Sequence, residues 1–307
     1  MRLISMLCSV MAAPLLVAAS EPVRLQPSTQ WVVDYAEDSC RLGRIFGTGR
    51  DETKLVLESI GPGAMTMAAT GRLVSASPDE LNVGARFLPL QAKPFFGVPG
   101  RVAGVHAVIW TFVPLAAQFE HDNRRVPGAL LMVTGGKPTY PRRPDLKHAL
   151  IEQEASKGTP EFFSKTTEIE IKVPRERTVI LETGSLAEPM KAFSTCEHDL
   201  VKSLGLDPEV QDRVARPPWP LSLWLARIAF PERVITTPEE GSVQVRAIID
   251  ANGGVTACTV QTQWAPEFKD QICEGLRKYG RFAPAELADG TKVAAIYTTR
   301  VDFRVTY

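Results

Sequence analysis

A chain of 307 residues has room for two domains of ordinary size. Its 35 basic and 35 acidic residues cancel and its pI lies near 6.9, which excludes a general electrostatic attraction to nucleic acid or anionic lipid. With 44% apolar and 23% charged residues, the composition is that of a globular protein and not of a disordered one.

The first residues read as a leader. Arg2 is a minimal basic region, residues 3–17 are apolar apart from Ser5 and Ser9, and Val17-Ala18-Ala19-Ser20 offers small side chains for cleavage. Residues 1–20 are therefore expected to be a signal peptide that exports the protein. The competing reading is a retained inner-membrane anchor. About 17 apolar residues at 1.5 Å each reach ~26 Å, short of a ~30 Å hydrocarbon core, and Pro14 interrupts the run. Cys8 precedes most of the apolar run and is not placed for lipidation.

Removing the leader leaves Cys40, Cys196, Cys258 and Cys273. An even count in an exported chain reads as disulfides, and four cysteines allow three pairings. Domain logic prefers Cys258–Cys273 and Cys40–Cys196. No CxxC occurs, so neither a redox site nor a zinc knuckle is suggested.

From residue 27 to about 206 the pattern is mostly β. Strand patterns occur at residues 31–35, 55–60 and 169–173, the last with Glu168, Glu170 and Lys172 facing out. Residues 105–115 form a longer apolar run suited to a buried central strand. Turns are expected at Gly61-Pro62-Gly63 and at Pro99-Gly100. One helix is expected at residues 145–157. Another starts near Ser185, with Leu186, Met190, Phe193, Leu200 and Leu204 on one stripe and Cys196 on the same face. Residues 207–218 follow as a proline-rich linker, a short stiff spacer before the last unit.

Residues 219–307 carry the clearest pattern. A short helix is expected at 222–229, ending before Phe230-Pro231. Gly241 then opens a strand in which Val243, Val245 and Ala247 alternate with Ser242, Gln244 and Arg246. Asn252-Gly253-Gly254 supplies a tight hairpin, and residues 255–264 return as the second strand. After Pro266, the residues Phe268, Ile272, Leu276 and Tyr279 form a helical stripe with Cys273 beside it. Arg281-Phe282-Ala283-Pro284-Ala285 and Asp289-Gly290 lead into a final alternation. There Tyr297, Thr299, Val301, Phe303, Val305 and Tyr307 share one face, expected on a helix, with the other in solvent.

That ordered set resembles the C-terminal domain of TonB, the periplasmic energy-transducing protein of Gram-negative bacteria, over about residues 219–307. Two departures stand out: Phe230 where the family has Tyr, and Gln263-Trp264 in place of a serine pair. The region before it resembles envelope-protein regions of unassigned function. The resemblance implies an α+β chain whose last unit is a three-stranded antiparallel sheet packed on two helices. It also implies a binding module that is not an enzyme. In that family the last strand's edge pairs with an extended segment of an outer-membrane transporter, which is β-strand addition. Carried over, the partner-binding edge strand is Tyr297, Thr298, Thr299, Arg300, Val301, Asp302, Phe303 and Arg304. Charges on such an edge also guard against aggregation, and Arg300, Asp302 and Arg304 suit either purpose.

Other chemistry finds little support. Glu182-Thr183-Gly184-Ser185 superficially matches the Asp-Thr-Gly turn of aspartic proteases but lacks its Asp, and reads as a strand-to-helix turn with Ser185 as N-cap. His106, His121, His148 and His198 show no metal spacing, and His106 reads as a core residue in an apolar strand. Cys196-Glu197-His198 is too compact for a Cys–His pair on one helix face. No phosphate loop or nucleotide fingerprint occurs, so no cofactor and no metal are expected. The reading is a periplasmic protein that binds a protein partner, with the periplasmic segment of a TonB-dependent receptor as the candidate. Two alternatives stand beside it: an anchored energy transducer that keeps residues 3–17, and a hydrolase with its site in the N-terminal region.

Overall fold

The computed structural model describes residues 21–62, 64–76, 83–90, 94–102, 105–112, 130–134, 137–139, 163–174, 177–222, 224–228, 241–261 and 267–306. The apolar run 3–17, the helix expected at 145–157, His121, His148, Phe230-Pro231, Gln263-Trp264, Pro266 and Tyr307 lie outside them. The chain is α+β, as expected.

The N-terminal unit is one sheet. Its strands are β1 (Val23–Leu25), β2 (Val32–Tyr35), β3 (Cys40–Phe46), β4 (Thr53–Gly61), β5 (Ala64–Thr70), β6 (Val83–Leu88), β7 (Phe95–Val102) and β8 (Val105–Phe112). Two short strands, β9 (Leu130–Thr134) and β10 (Lys137–Thr139), leave this sheet for another, and β11 (Glu168–Val173) and β12 (Arg177–Leu181) return to it. The order is β1-β12-β11-β6-β7-β8-β5-β4-β3-β2, antiparallel except for β1 beside β12. Past β1 the chain crosses to the far side, where Pro27 bridges Phe46 and Ser28 N–H donates to Ile45 O at 2.9 Å. The sheet therefore curls until its two ends meet, which removes most of its free edge.

Alternation along the strands explains the interior. Ile169, Ile171 and Val173 turn inward from β11, as the sequence pattern required, and join Leu42, Phe46, Leu57, Met67, Phe87 and Trp110. Trp110 satisfies its indole N–H on Val83 O at 2.9 Å. Helix α1 (Ala187–Ser203) adds Met190, Phe193, Cys196 and Leu200 to the same core, four of the residues placed by helical spacing. Ser185 lies one residue before the helix cap and accepts from Ala187 N–H at 3.3 Å, so the turn at Gly184 (φ 64°) is structural. The Cys40–Cys196 disulfide ties β3 to α1 across a Cα separation of 5.9 Å.

Two local expectations fail. Pro99 and Gly100 are not a turn but lie within β7, opposite Val108 and Ala107, because the chain reverses after Val102 instead. His106 is exposed near that reversal, not buried in the core.

Beside the disulfide, Glu197 accepts a hydrogen bond from Ser59 Oγ at 2.5 Å. Burial raises its carboxyl above the ordinary glutamate range, the Ser59 bond and His198 pull it down, and Asp212 pushes it up. The folded chain then holds this proton more tightly than the unfolded chain. Stability contributed here is present at low pH and falls as pH rises from about 4.3 through the folded-state value. Glu197→Gln keeps the acceptor for Ser59 and removes the charge. Its melting temperature is expected to exceed the parent's at pH 7 and to converge with it near pH 4; a lower value at pH 7 contradicts the account.

The expected spacer is not free. Asp207 caps the short helix α2 (Pro208–Asp212), accepting from Glu209 N–H at 2.9 Å. Next, β13 (Val214–Arg216) and β14 (Trp219–Pro220) pair with two strands of the last unit, β18 (Ala285–Leu287) and β17 (Phe282–Ala283). Arg216 forms an ion pair with Glu286 across the first of these pairings.

The C-terminal unit follows the expected order: β15 (Gly241–Ile249), β16 (Val255–Gln261), α3 (Glu267–Tyr279), the short strands β17, β18 and β19 (Lys292–Val293), and β20 (Ala295–Thr306). Val245, Ala247, Ile249, Val260, Ile272, Leu276 and Phe282 make its core. The second expected helix is a 3₁₀ turn, Trp224–Arg227, whose Trp224 joins that core. Cys258 and Cys273 are bonded at a Cα separation of 5.5 Å, so both expected pairings are present. The hairpin turns at Gly253 (φ 85°), where an added Cβ would sit 2.0 Å from Phe282 O. Asp250 closes that turn by accepting from Asn252 and Gly254 N–H.

A candidate strand-docking edge

Strands β16, β15 and β20 form the expected antiparallel triplet, but the sheet has five strands in the order β10-β9-β20-β15-β16. β9 and β10 come from the N-terminal half of the chain. β9 runs parallel to β20, pairing Leu130 with Asp302 through Thr134 with Thr306. The expected edge strand is therefore interior over its last residues. Asp302, Phe303 and Arg304 are already beside β9, and this corrects the assignment of them to a free edge.

The rest of β20 has a defined polarity. In an antiparallel pair, alternate residues turn both N–H and C=O toward the partner. Ile296 N–H donates to Gln211 Oε1 at 3.3 Å, and Ala294 O accepts from Gln211 Nε2 at 2.9 Å, so these groups point away from β15. By the period of two, Thr298, Arg300, Asp302 and Arg304 also direct their backbone groups outward. Among the described residues, no strand lies beside this side of residues 297–301.

Side chains tell a second story. Tyr297 turns to the helix side, its ring 4.8 Å from Phe282, and burial raises its phenol while Thr299 and Trp224 hydrogen-bond it. Its side chain packs against the core and its backbone groups turn toward β15, so Tyr297 itself offers nothing to the outward edge. Thr298 and Thr299 are half-buried; Arg300, Val301, Asp302, Phe303 and Arg304 are placed here by backbone alone.

The opposite sheet face was expected in solvent, and it is docked on the N-terminal unit. Arg246 is 3% exposed; its guanidinium donates to Asp38 O at 2.8 Å, Ile60 O at 2.9 Å and Asp38 Oδ1 at 2.7 Å. Ile296 is buried beside Gly61, and Gln261 Nε2 adds a bond to Asp38 O at 2.8 Å. The physical reason is polar satisfaction. Two carbonyls of the N-terminal unit and one buried cation of the C-terminal unit complete each other, and the bond to Ile60 O is fully buried.

Sequence reasoning missed Gln211, β9, Arg246 and Asp38 as parts of this site. A signal existed for β9, since Leu130-Leu131-Met132-Val133-Thr134 is an apolar run bounded by Gly128 and Gly135-Gly136. For Gln211 and Asp38 there was none. Among the described residues no group of His, Cys, Asp and Glu is placed to hold a metal; His198 faces Asp212 at 3.2 Å, and Cys196 is in a disulfide.

The model of the family described as Gram-negative bacterial TonB protein C-terminal matches residues 226–305, about a quarter of the chain. No curated protein matches the chain. The matched residues take in β15, β16, α3 and all but the last residue of β20, and so contain the expected edge.

Proposed function

We propose that this chain is an envelope protein whose C-terminal unit binds, without catalysis, an extended segment of a partner protein by strand addition along β20. The observation that carries the reading is the pairing of β20 on its outward side. That side takes a strand, β9, at one end and a side-chain amide, Gln211, at the other. The family match over residues 226–305 supports a partner such as the periplasmic segment of a TonB-dependent outer-membrane receptor. Two disulfides in the folded chain suit an oxidising compartment, which supports the periplasm.

Thr298→Pro is the direct test. Position 298 turns its N–H outward, so proline removes a donor from the docking edge and none from the ladder with β15. Binding of the full chain to a panel of transporter-derived periplasmic peptides is expected to weaken about tenfold or more, with far-UV circular dichroism unchanged. If no peptide in the panel binds the parent chain, the transporter reading fails. A retained leader would make the same edge part of an anchored energy transducer. The intact mass of protein purified from the envelope separates the two, by loss or retention of the first ~20 residues.

A further inference from the structure

We propose that β9 is a resident competitor: the chain's own segment Leu130–Thr134 fills the docking edge of β20, and a partner must run parallel to β20 and displace it. This rests on the strand-addition reading of β20 and adds its regulation and the direction of the incoming strand.

Three observations carry it. First, β9 and β10 lie between β8 and β11 in sequence, and both of those strands belong to the N-terminal sheet. The chain leaves that sheet, places this hairpin on the C-terminal one and then returns. Second, β9 is parallel to β20, whereas every other pairing in the five-stranded sheet is antiparallel. A hairpin neighbour would be antiparallel; a strand arriving from elsewhere in the chain is free to take either direction. Third, Gln211 makes the same kind of pairing at the other end. Its amide donates to Ala294 O and accepts from Ile296 N–H, which is what a parallel strand's residue opposite Ala295 would do. Two unrelated parts of the chain thus satisfy one edge in one direction.

The register fixes which groups do this. Asp302 and Arg304 face outward, so the residues of β9 that bond to β20 are those opposite Phe303 and Val305, namely Leu131 and Val133. Met132 and Thr134 face β10. Pro138, which has no N–H, is opposite Val133, where none is needed. A tethered strand competes at the high effective concentration of an intramolecular segment, and apparent affinity falls by the fraction of edges left open.

The test compares the full parent chain with Leu131→Pro plus Val133→Pro, which removes both donors facing β20 and keeps those facing β10. A second variant replaces residues 129–139 by Gly-Ser repeats of equal length, in case the prolines prevent folding. The probe is a fluorescein-labelled synthetic peptide of residues 128–136, with amide exchange read at Arg304 and Thr306. The proposal expects exchange at those amides to speed up in both variants and the peptide to bind them at least tenfold tighter than the parent. Equal peptide binding by parent and variants, with exchange unchanged, overturns the competitor and leaves the strand-addition reading standing. Faster exchange with no peptide binding by any form overturns both, because an opened edge that takes no strand is not a docking edge.

Discussion

Replacing Arg246 with alanine is expected to lower the unfolding free energy by about 2–3 kcal/mol and to loosen the C-terminal unit from the N-terminal one. The side chain is 3% exposed and donates to two backbone carbonyls and a carboxylate of the other unit. Removing a partner from a fully buried ion pair costs roughly 3–5 kcal/mol. Here the Asp38 carboxylate is 51% exposed, so solvent screens the ionic part. Most of the loss comes instead from the buried Ile60 O, left facing a gap, while Asp38 O keeps its bond from Gln261. Arg246→Lys keeps the charge but not the fork, and should fall between parent and alanine. Guanidinium unfolding followed by tryptophan fluorescence measures this, and limited proteolysis reads the loosening. An alanine variant as stable as the parent would mean that the face is held by Ile296 and its neighbours alone.

The second large effect concerns Cys40–Cys196. A covalent link spanning 156 residues removes more freedom from the unfolded chain than one spanning 15. The chain-entropy model puts the two at about 5 and about 3 kcal/mol. Cys40→Ser with Cys196→Ser is therefore expected to cost more than Cys258→Ser with Cys273→Ser, by ~2 kcal/mol, when both are measured by denaturant titration. The reverse order would place the greater effect in native packing, since Cys196 lies in the core beside Phe193 and Leu200.

Much of this architecture was legible because it is periodic. The stripe from Met190 to Leu200, the alternation of Ile169, Ile171 and Val173, and the Gly253 hairpin each follow from a local rule about where side chains point. Both disulfides followed from placing cysteines on elements already recognised. What escaped was non-local. Nothing around Gln211 says that its amide pairs with a peptide group 85 residues away. Arg246 alternates as a solvent-facing residue should, and only the second unit turns its position into an interior one. Pro217 and Pro218 predict a stiff segment. The strands on either side, Val214–Arg216 and Trp219–Pro220, use that stiffness for pairing and not for spacing.

That last feature sets how far the molecule can search. A module on a loose tether samples a volume whose radius is the tether's, and meets a fixed target repeatedly. Here the connecting segment is stitched to the unit it was expected to release, so the two units diffuse together as one body. A folded chain of this length has a radius of gyration of roughly 19 Å. On the proposed reading, an edge on β20 travels only as the rest of the folded chain travels, and the linker adds no search volume of its own.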